Sequence, residues 1–342
     1  MDLSERKLRI LQAIVDDYIV SGMPIGSRTI SRMWGGRYSP ATIRNEMSDL
    51  ELLGYLEQPH TSAGRVPSAL AYRLYVDSMQ EPGNLTENDR ALINSWYKER
   101  IRSMDDIFKS TAKILSRMTQ NVSLVVANKN SRARFQYLRF LPLNERQAIM
   151  CIVTDDGAMD SGLIELPVDM DMGQLDYLAG KMSHLLKNRT LTEITGDLLQ
   201  EVYSQVAHDD VLLASLKEAI DNIAAKNKEQ KVFLGGAKQL LNQPEFQDVS
   251  RVKDLLGILE EEKVVKDILS AGDDSGLKVT IGSENKFTGI KDCSMVQATY
   301  RLNGQIVGTM AVLGPTRMEY RKVMAVMNYL HKYLETILND SQ

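Results

Sequence analysis

The sequence predicts an α+β chain of more than one domain, led by a helical head that closes on a small hairpin. Three observations carry this reading. At 342 residues the chain exceeds one ordinary core, and its 43% hydrophobic and 25% charged residues are those of globular protein. Residues 1–80 run at helical period until a short strand, Tyr55-Leu56-Glu57-Gln58, and a return at Arg65-Val66. Past residue 120 the period becomes strand-like, and the last strands flank Asn303-Gly304, a strong hairpin signal.

In chain order, Ser4 caps a first helix whose stripe is Leu8, Leu11, Ile14, Val15 and Tyr18, ended by Ser21-Gly22. Met23-Pro24-Ile25-Gly26 connects it to a short second helix, RTISRMW, capped by Ser27 and closed by Gly35-Gly36. Ser39 and Pro40 open a third helix, one as cap and one at the first helical position. Ile43, Met47 and Leu50 turn inward at i, i+4, i+7. The opposite side carries Ala41, Thr42, Arg44, Asn45 and Ser48, without an acid; Glu46, Asp49 and Glu51 belong to the flanks or the C-terminal end. Gly54 stops the helix, and His60 to Gly64 form the hairpin tip. Helix, helix, recognition helix and wing make the winged form of helix-turn-helix, and a third helix of this polarity suits a DNA major groove.

A fourth helix spans about 68–79, and Glu81-Pro82-Gly83-Asn84 is a linker with turn chemistry throughout. Thr86 starts a helical region to about Thr119, interrupted near Ile101–Met104. Strands follow at 122–127, 135–141, 148–153 and, past the Asp156-Gly157 turn, 162–166; 171–186 is helical. Residues 190–248 are mostly helical, with a strand at 232–234, and 253–269 reads as one charged helix. Strands at 279–282, 295–301 and 305–313 precede a C-terminal helix capped by Thr316, with a stripe of Val323, Val326, Met327, Leu330, Leu334, Ile337 and Leu338.

Net charge is -4, which alone speaks against nucleic acid, but its distribution matters more. Between Arg28 and Asn45 stand four arginines, Arg28, Arg32, Arg37 and Arg44, with no acid among them. Arg44 and Asn45 are candidates for base edges or phosphates, with Thr42 and Ser48 beside them. Arg28 and Arg32 suit phosphates, and His60 and Arg65 place the wing on backbone or minor groove. No apolar run has the length of a membrane span, the start MDLSERK is no signal peptide, and Cys151 and Cys293 read as buried thiols; a cytoplasmic chain is expected. The four histidines stand apart without metal-ligand spacing, and Gly235-Gly236 lacks the ending of a phosphate loop. No metal, cofactor or catalytic grouping is therefore expected. An effector-responsive regulator, or an enzyme with an appended DNA-binding head, are the competing readings.

SPATIRNEM (39–47), QPHTSAGRVP (58–67) and YRLYVD (72–77), with GGAKQLLNQPEF (235–246), IGSEN (281–285) and LGPTRMEY (313–320), closely resemble the HrcA family, the heat-inducible transcription repressors of bacterial chaperone operons. The resemblance implies a winged-helix domain at 1–80, a GAF-like domain at 86–190 and 249–342, and a mostly helical dimerisation domain inserted at 191–248. It also implies a homodimer on an inverted-repeat operator, kept active by the chaperonin.

Overall fold

The computed structural model describes residues 3–60, 64–79, 83–98, 104–128, 134–155, 157, 159–168, 170–190, 193–194, 196–204, 210–228, 230–246, 248–270, 276–302 and 305–340. Several expectations lie outside them: the tip residues 61–63, Glu81-Pro82 of the linker, the helix interruption at 101–103, Asp156, His208 and the Asn303-Gly304 turn. The chain divides into two compact units, and both mix helices with sheet. One holds 1–95, 111–125 and 232–342; the other holds 96–110 and 126–231.

The head of the first unit comprises α1 (Glu5–Ser21), α2 (Ser27–Met33), α3 (Pro40–Leu52), β1 (Leu56–Glu57), β2 (Val66–Pro67) and α4 (Ala69–Asp77). Ser4 caps α1 and Ser68 caps α4, each accepting a backbone N–H two to three residues inside the helix. Ile10, Leu11, Ile14, Ile30, Ile43, Leu50 and Leu56 are buried and form the head's core. Ser27 is the first residue of α2 and is buried; Gly26 holds the cap position, because the Ser27 side chain faces inward rather than along the helix end.

Gly54, at φ 81, ends α3: its N–H bonds to the Glu51 carbonyl at 2.9 Å and that of Tyr55 to Leu50 at 2.9 Å. The chain then pairs β1 with β2 and adds a third rung, with Ile25 and Arg65 exchanging backbone bonds of 3.0 and 2.9 Å. Gly64 permits that rung, since a Cβ there would stand 2.3 Å from the Ile25 carbonyl oxygen.

The body of this unit includes a five-stranded sheet ordered β7 (Gln230–Gly235), β3 (Val122–Asn128), β10 (Gln305–Pro315), β9 (Cys293–Leu302) and β8 (Leu277–Ile281). Residues 293–298 of β9 are buried at every position, so the sheet is covered on both faces. With it go most of α5 (Glu87–Lys98), as far as Ser95, the part of α6 (Met104–Thr119) from Thr111 on, and α10 (Val249–Glu260), α11 (Glu262–Ser270) and α12 (Tyr320–Asp340). Two expectations change here. The charged helix at 253–269 is two helices broken at Glu261, which has extended backbone (φ -85, ψ 94) within a run of three glutamates. Thr316 caps nothing: α12 begins at Tyr320, and the Thr316 carbonyl accepts from the Tyr320 hydroxyl at 2.6 Å.

Head and body meet through α4 and the C-terminal end of α1. Arg73 on α4 donates from Nε to Glu284 Oε1 at 2.8 Å, from Nη2 to Glu284 Oε2, and from Nη2 to the Val279 carbonyl at 2.8 Å. Burial pushes the Glu284 carboxyl up, but Arg73 and the Ile281 N–H outweigh it and hold the group below its ordinary range. Arg317 donates to the Ile19 carbonyl at 3.0 Å and pairs with Glu245. It thus brings positive charge to a helix end whose own last turn has no basic residue. The rings of Tyr72 and Tyr320 lie 6.0 Å apart, and Tyr75 bridges Asp16 and Arg321.

The second unit holds a three-stranded antiparallel sheet, β4 (Phe135–Asn144), β5 (Gln147–Thr154) and β6 (Met159–Glu165), with α7 (Met172–Leu186), α8 (Gly196–Ser204) and α9 (Asp210–Lys228). A single core runs from Phe135 to Ile223 through Met150, Ile164, Leu178 and Leu216. This division differs from the expected insertion at 191–248. Strands 135–165 bury one face against helices of 172–223, so they belong with that segment, while β7 belongs to the other sheet.

Gly64→Ala is expected to separate the wing from Ile25 and to cost about 1–3 kcal/mol through two lost backbone bonds. Denaturant unfolding measures the loss, and faster amide exchange at Ile25 and Arg65 localises it.

Candidate nucleic-acid interface

α3 is held by its first turn and its inner stripe. Ser39 accepts from the Thr42 N–H at 3.1 Å, Pro40 takes the first helical position, and Ile43, Met47 and Leu50 are buried as the spacing predicts. The α2–α3 turn is fixed by Ser31, whose hydroxyl donates to the Tyr38 carbonyl at 2.8 Å, and by the Trp34–Tyr38 edge contact at 5.8 Å.

The three acids of α3 are each paired with a cation from outside it. Glu46, on the flank of the helix, is buried beside the stripe residues, bound by Arg6 and standing 3.0 Å from Lys7 Nζ. Lys7 also reaches Asp49 at 2.9 Å, and the hydrogen bonds with Asp49 and then Glu46 raise its pKa. Arg65 places Nε at 2.9 Å and Nη2 at 2.8 Å from Glu51 Oε2. Sequence reasoning missed the roles of Arg6 and Lys7. The only local signal was a pair of adjacent cations just ahead of the α1 stripe.

The outward side is what remains. Arg28 and Arg32 on α2, with Arg44 and Asn45 on α3, are exposed, and none of these four side chains has a hydrogen bond or ion pair among the described residues. Ser48 is half-buried beside them, and Thr42 is half-buried with its hydroxyl 2.9 Å from that of Ser39. His60 is exposed at the edge of the described wing. Arg65 differs from these in being committed to Glu51, with its side chain 18% exposed, so it braces the wing against α3. Arg37 lies over the Tyr38 ring, 5.8 Å from its centroid.

A heat-inducible transcription repressor HrcA from Pelotomaculum thermopropionicum is 39% identical over 339 residues, covering 99% of this chain and 97% of its own. The relative of the same name from Carboxydothermus hydrogenoformans is 40% identical over 338 residues, covering 99% of each. A family model described as HrcA protein C terminal domain matches residues 105–324. The chain belongs to the HrcA family of heat-inducible transcription repressors. The matches to HrcA relatives extend through the head, beyond the part that the family model covers. Among solved structures, a hypothetical protein at 21% identity covers 100% of both chains with a TM-score of 0.69, a likeness of fold. Among the described residues no helix is long and apolar enough to cross a membrane.

Ser39→Ala is expected to lower head stability by about 1 kcal/mol in denaturant titration, and Ser39→Asp to retain it within a few tenths.

Proposed function

We propose that this HrcA-family chain represses chaperone genes as a homodimer on an inverted-repeat DNA operator, and that a chaperonin sustains this activity. One observation carries the DNA contact. Every acid of α3 is paired with a cation, Arg6, Lys7 or Arg65, while Arg28, Arg32 and Arg44 keep their charge for a partner. In this reading the head is a winged helix that lays the N-terminal half of α3 in the major groove. Arg44 and Asn45 read base edges, Thr42 and Ser48 line the contact, Arg28 and Arg32 hold phosphates, and His60 with the wing tip reaches the flanking backbone.

The five-stranded body is the GAF-like part. The outer face of the three-stranded sheet supports the homodimer. In register across β4, β5 and β6 run Leu141, Ile149 and Leu163, then Tyr137, Val153 and Met159. Tyr137, Leu141, Met159 and Leu163 are 48–70% exposed. An apolar sheet face of this kind is ordinarily covered by a partner. Two heads joined in one dimer bind far more tightly than one, which compensates for a head of neutral net charge, with nine basic and nine acidic residues in 1–80.

Arg44→Ala is expected to weaken operator binding about tenfold or more, a loss of about 1–3 kcal/mol, with the unfolding transition unchanged. Wild-type affinity in that variant would overturn the assignment of the face. Leu163→Asp, on the outer sheet face, should yield monomers in sedimentation analysis and lose the full operator while keeping a folded circular dichroism spectrum. Binding measured with and without chaperonin at fixed salt tests the last part: affinity that does not rise with chaperonin removes it from the reading.

A further inference from the structure

Around the Tyr72–Tyr320 ring contact, the hydrogen bonds between head and body are made by charged groups reaching in both directions. Arg73 leaves the head to hold Glu284 and the Val279 carbonyl, and also pairs with Asp77 at 3.2 Å. Arg317 leaves the body to hold the last turn of α1 at Ile19, with Glu245 behind it. Arg321 lies over the Tyr75 ring, 5.6 Å from its centroid, with its Nε 3.2 Å from the hydroxyl. The side chains of Arg317 and Arg73 are only 15% and 27% exposed.

Partly desolvated ion pairs add little net stability, because the cost of leaving water offsets the attraction; what they do well is penalise every other geometry. An apolar seam could slide, whereas a guanidinium shared by a carboxylate and a backbone carbonyl has one arrangement. The contacts also spare the outward side of α3: they use α4 and the end of α1, and leave Arg28, Arg32, Arg44 and Asn45 untouched.

We propose that Arg73, Glu284, Arg317 and Glu245 are positioning residues for operator recognition, which set the direction of α3 relative to the body so that the dimer accepts one separation of half-sites. This rests on the homodimer and inverted repeat proposed above. Each base pair inserted between half-sites rotates one against the other by about 34° and moves it about 3.4 Å, a change that a fixed head cannot follow.

The test uses the full-length protein. The inverted repeat selected by wild type from a random duplex pool is rebuilt with spacers one and two base pairs longer and shorter, beside a duplex with a single half-site. Wild type should lose about tenfold or more in affinity on a one-base-pair change, through loss of simultaneous engagement. Arg73→Gln combined with Arg317→Gln should lose less than about threefold across the same series, because a mobile head can follow the moved half-site. Its affinity for the single half-site should match wild type. Glu284→Gln, which keeps the side chain's shape, should broaden the profile in the same direction.

A spacer profile unchanged in these variants overturns the inference. So does a parallel loss on the single half-site, which would make the contacts merely structural, or a variant that binds the original operator more tightly, which would make them a restraint on binding. A wild type with half-site affinity and no preferred spacing overturns it as well. A wild type without any selective binding defeats instead the function on which the inference rests.

Discussion

A guanidinium taken out of water must have its donors met, and the first unit is arranged around that requirement. Arg73 spends Nε and both Nη atoms on Glu284, Val279 and Asp77, and Arg317 divides itself between Glu245 and Ile19. The motif blocks that read as isolated strings, YRLYVD, NQPEF, IGSEN and LGPTRMEY, supply both sides of these contacts. Segments more than two hundred residues apart are thereby held to a common geometry. The helical head is consequently a mounted part of its unit, and the Tyr72–Tyr320 pair fills the space between the charges.

The same economy of charge shapes the face of α3. A helix with three acids is a poor neighbour for phosphate, since like charges repel at close range. Arg6, Lys7 and Arg65 neutralise Glu46, Asp49 and Glu51 from behind and beside, and the field in front is left to Arg28, Arg32 and Arg44. Arg65 illustrates the trade. A cation in the wing suggests a nucleic-acid contact, yet this one is turned back onto α3, where it sets the angle between wing and helix.

The legible parts of the fold were those decided locally. Ser4 and Ser39 cap, Gly22 and Gly54 stop, and the stripe of Ile43, Met47 and Leu50 is buried, because each depends on neighbours within a turn or two. The strand periods of β4, β5 and β9 were legible for the same reason. What depended on distant partners was not. Glu46 has an unremarkable local sequence and is buried only because the start of α1 crosses it with two cations. The reach of Arg65 to Glu51 and of Arg317 to Ile19 has no signature in spacing. The two compact units were not legible, because alternation reveals a strand's two faces without saying which helices cover them. Thr316 had the chemistry of a cap, but the segment before α12 is occupied in bringing Arg317 and Met318 inward.

The register of the three-stranded sheet has one more effect, a chemical one. It sets Cys151 opposite Arg139 and Ser161 on the outer face, where the thiol is half-buried. The other cysteine, Cys293, is buried, and that burial pushes its pKa up to about 12, which keeps it protonated and unreactive. A mild alkylating reagent therefore has one kinetic target in the folded chain. In a dimer joined through that sheet face the target sits at the seam, so the rate of thiol labelling becomes an internal clock for subunit exchange, without any added probe.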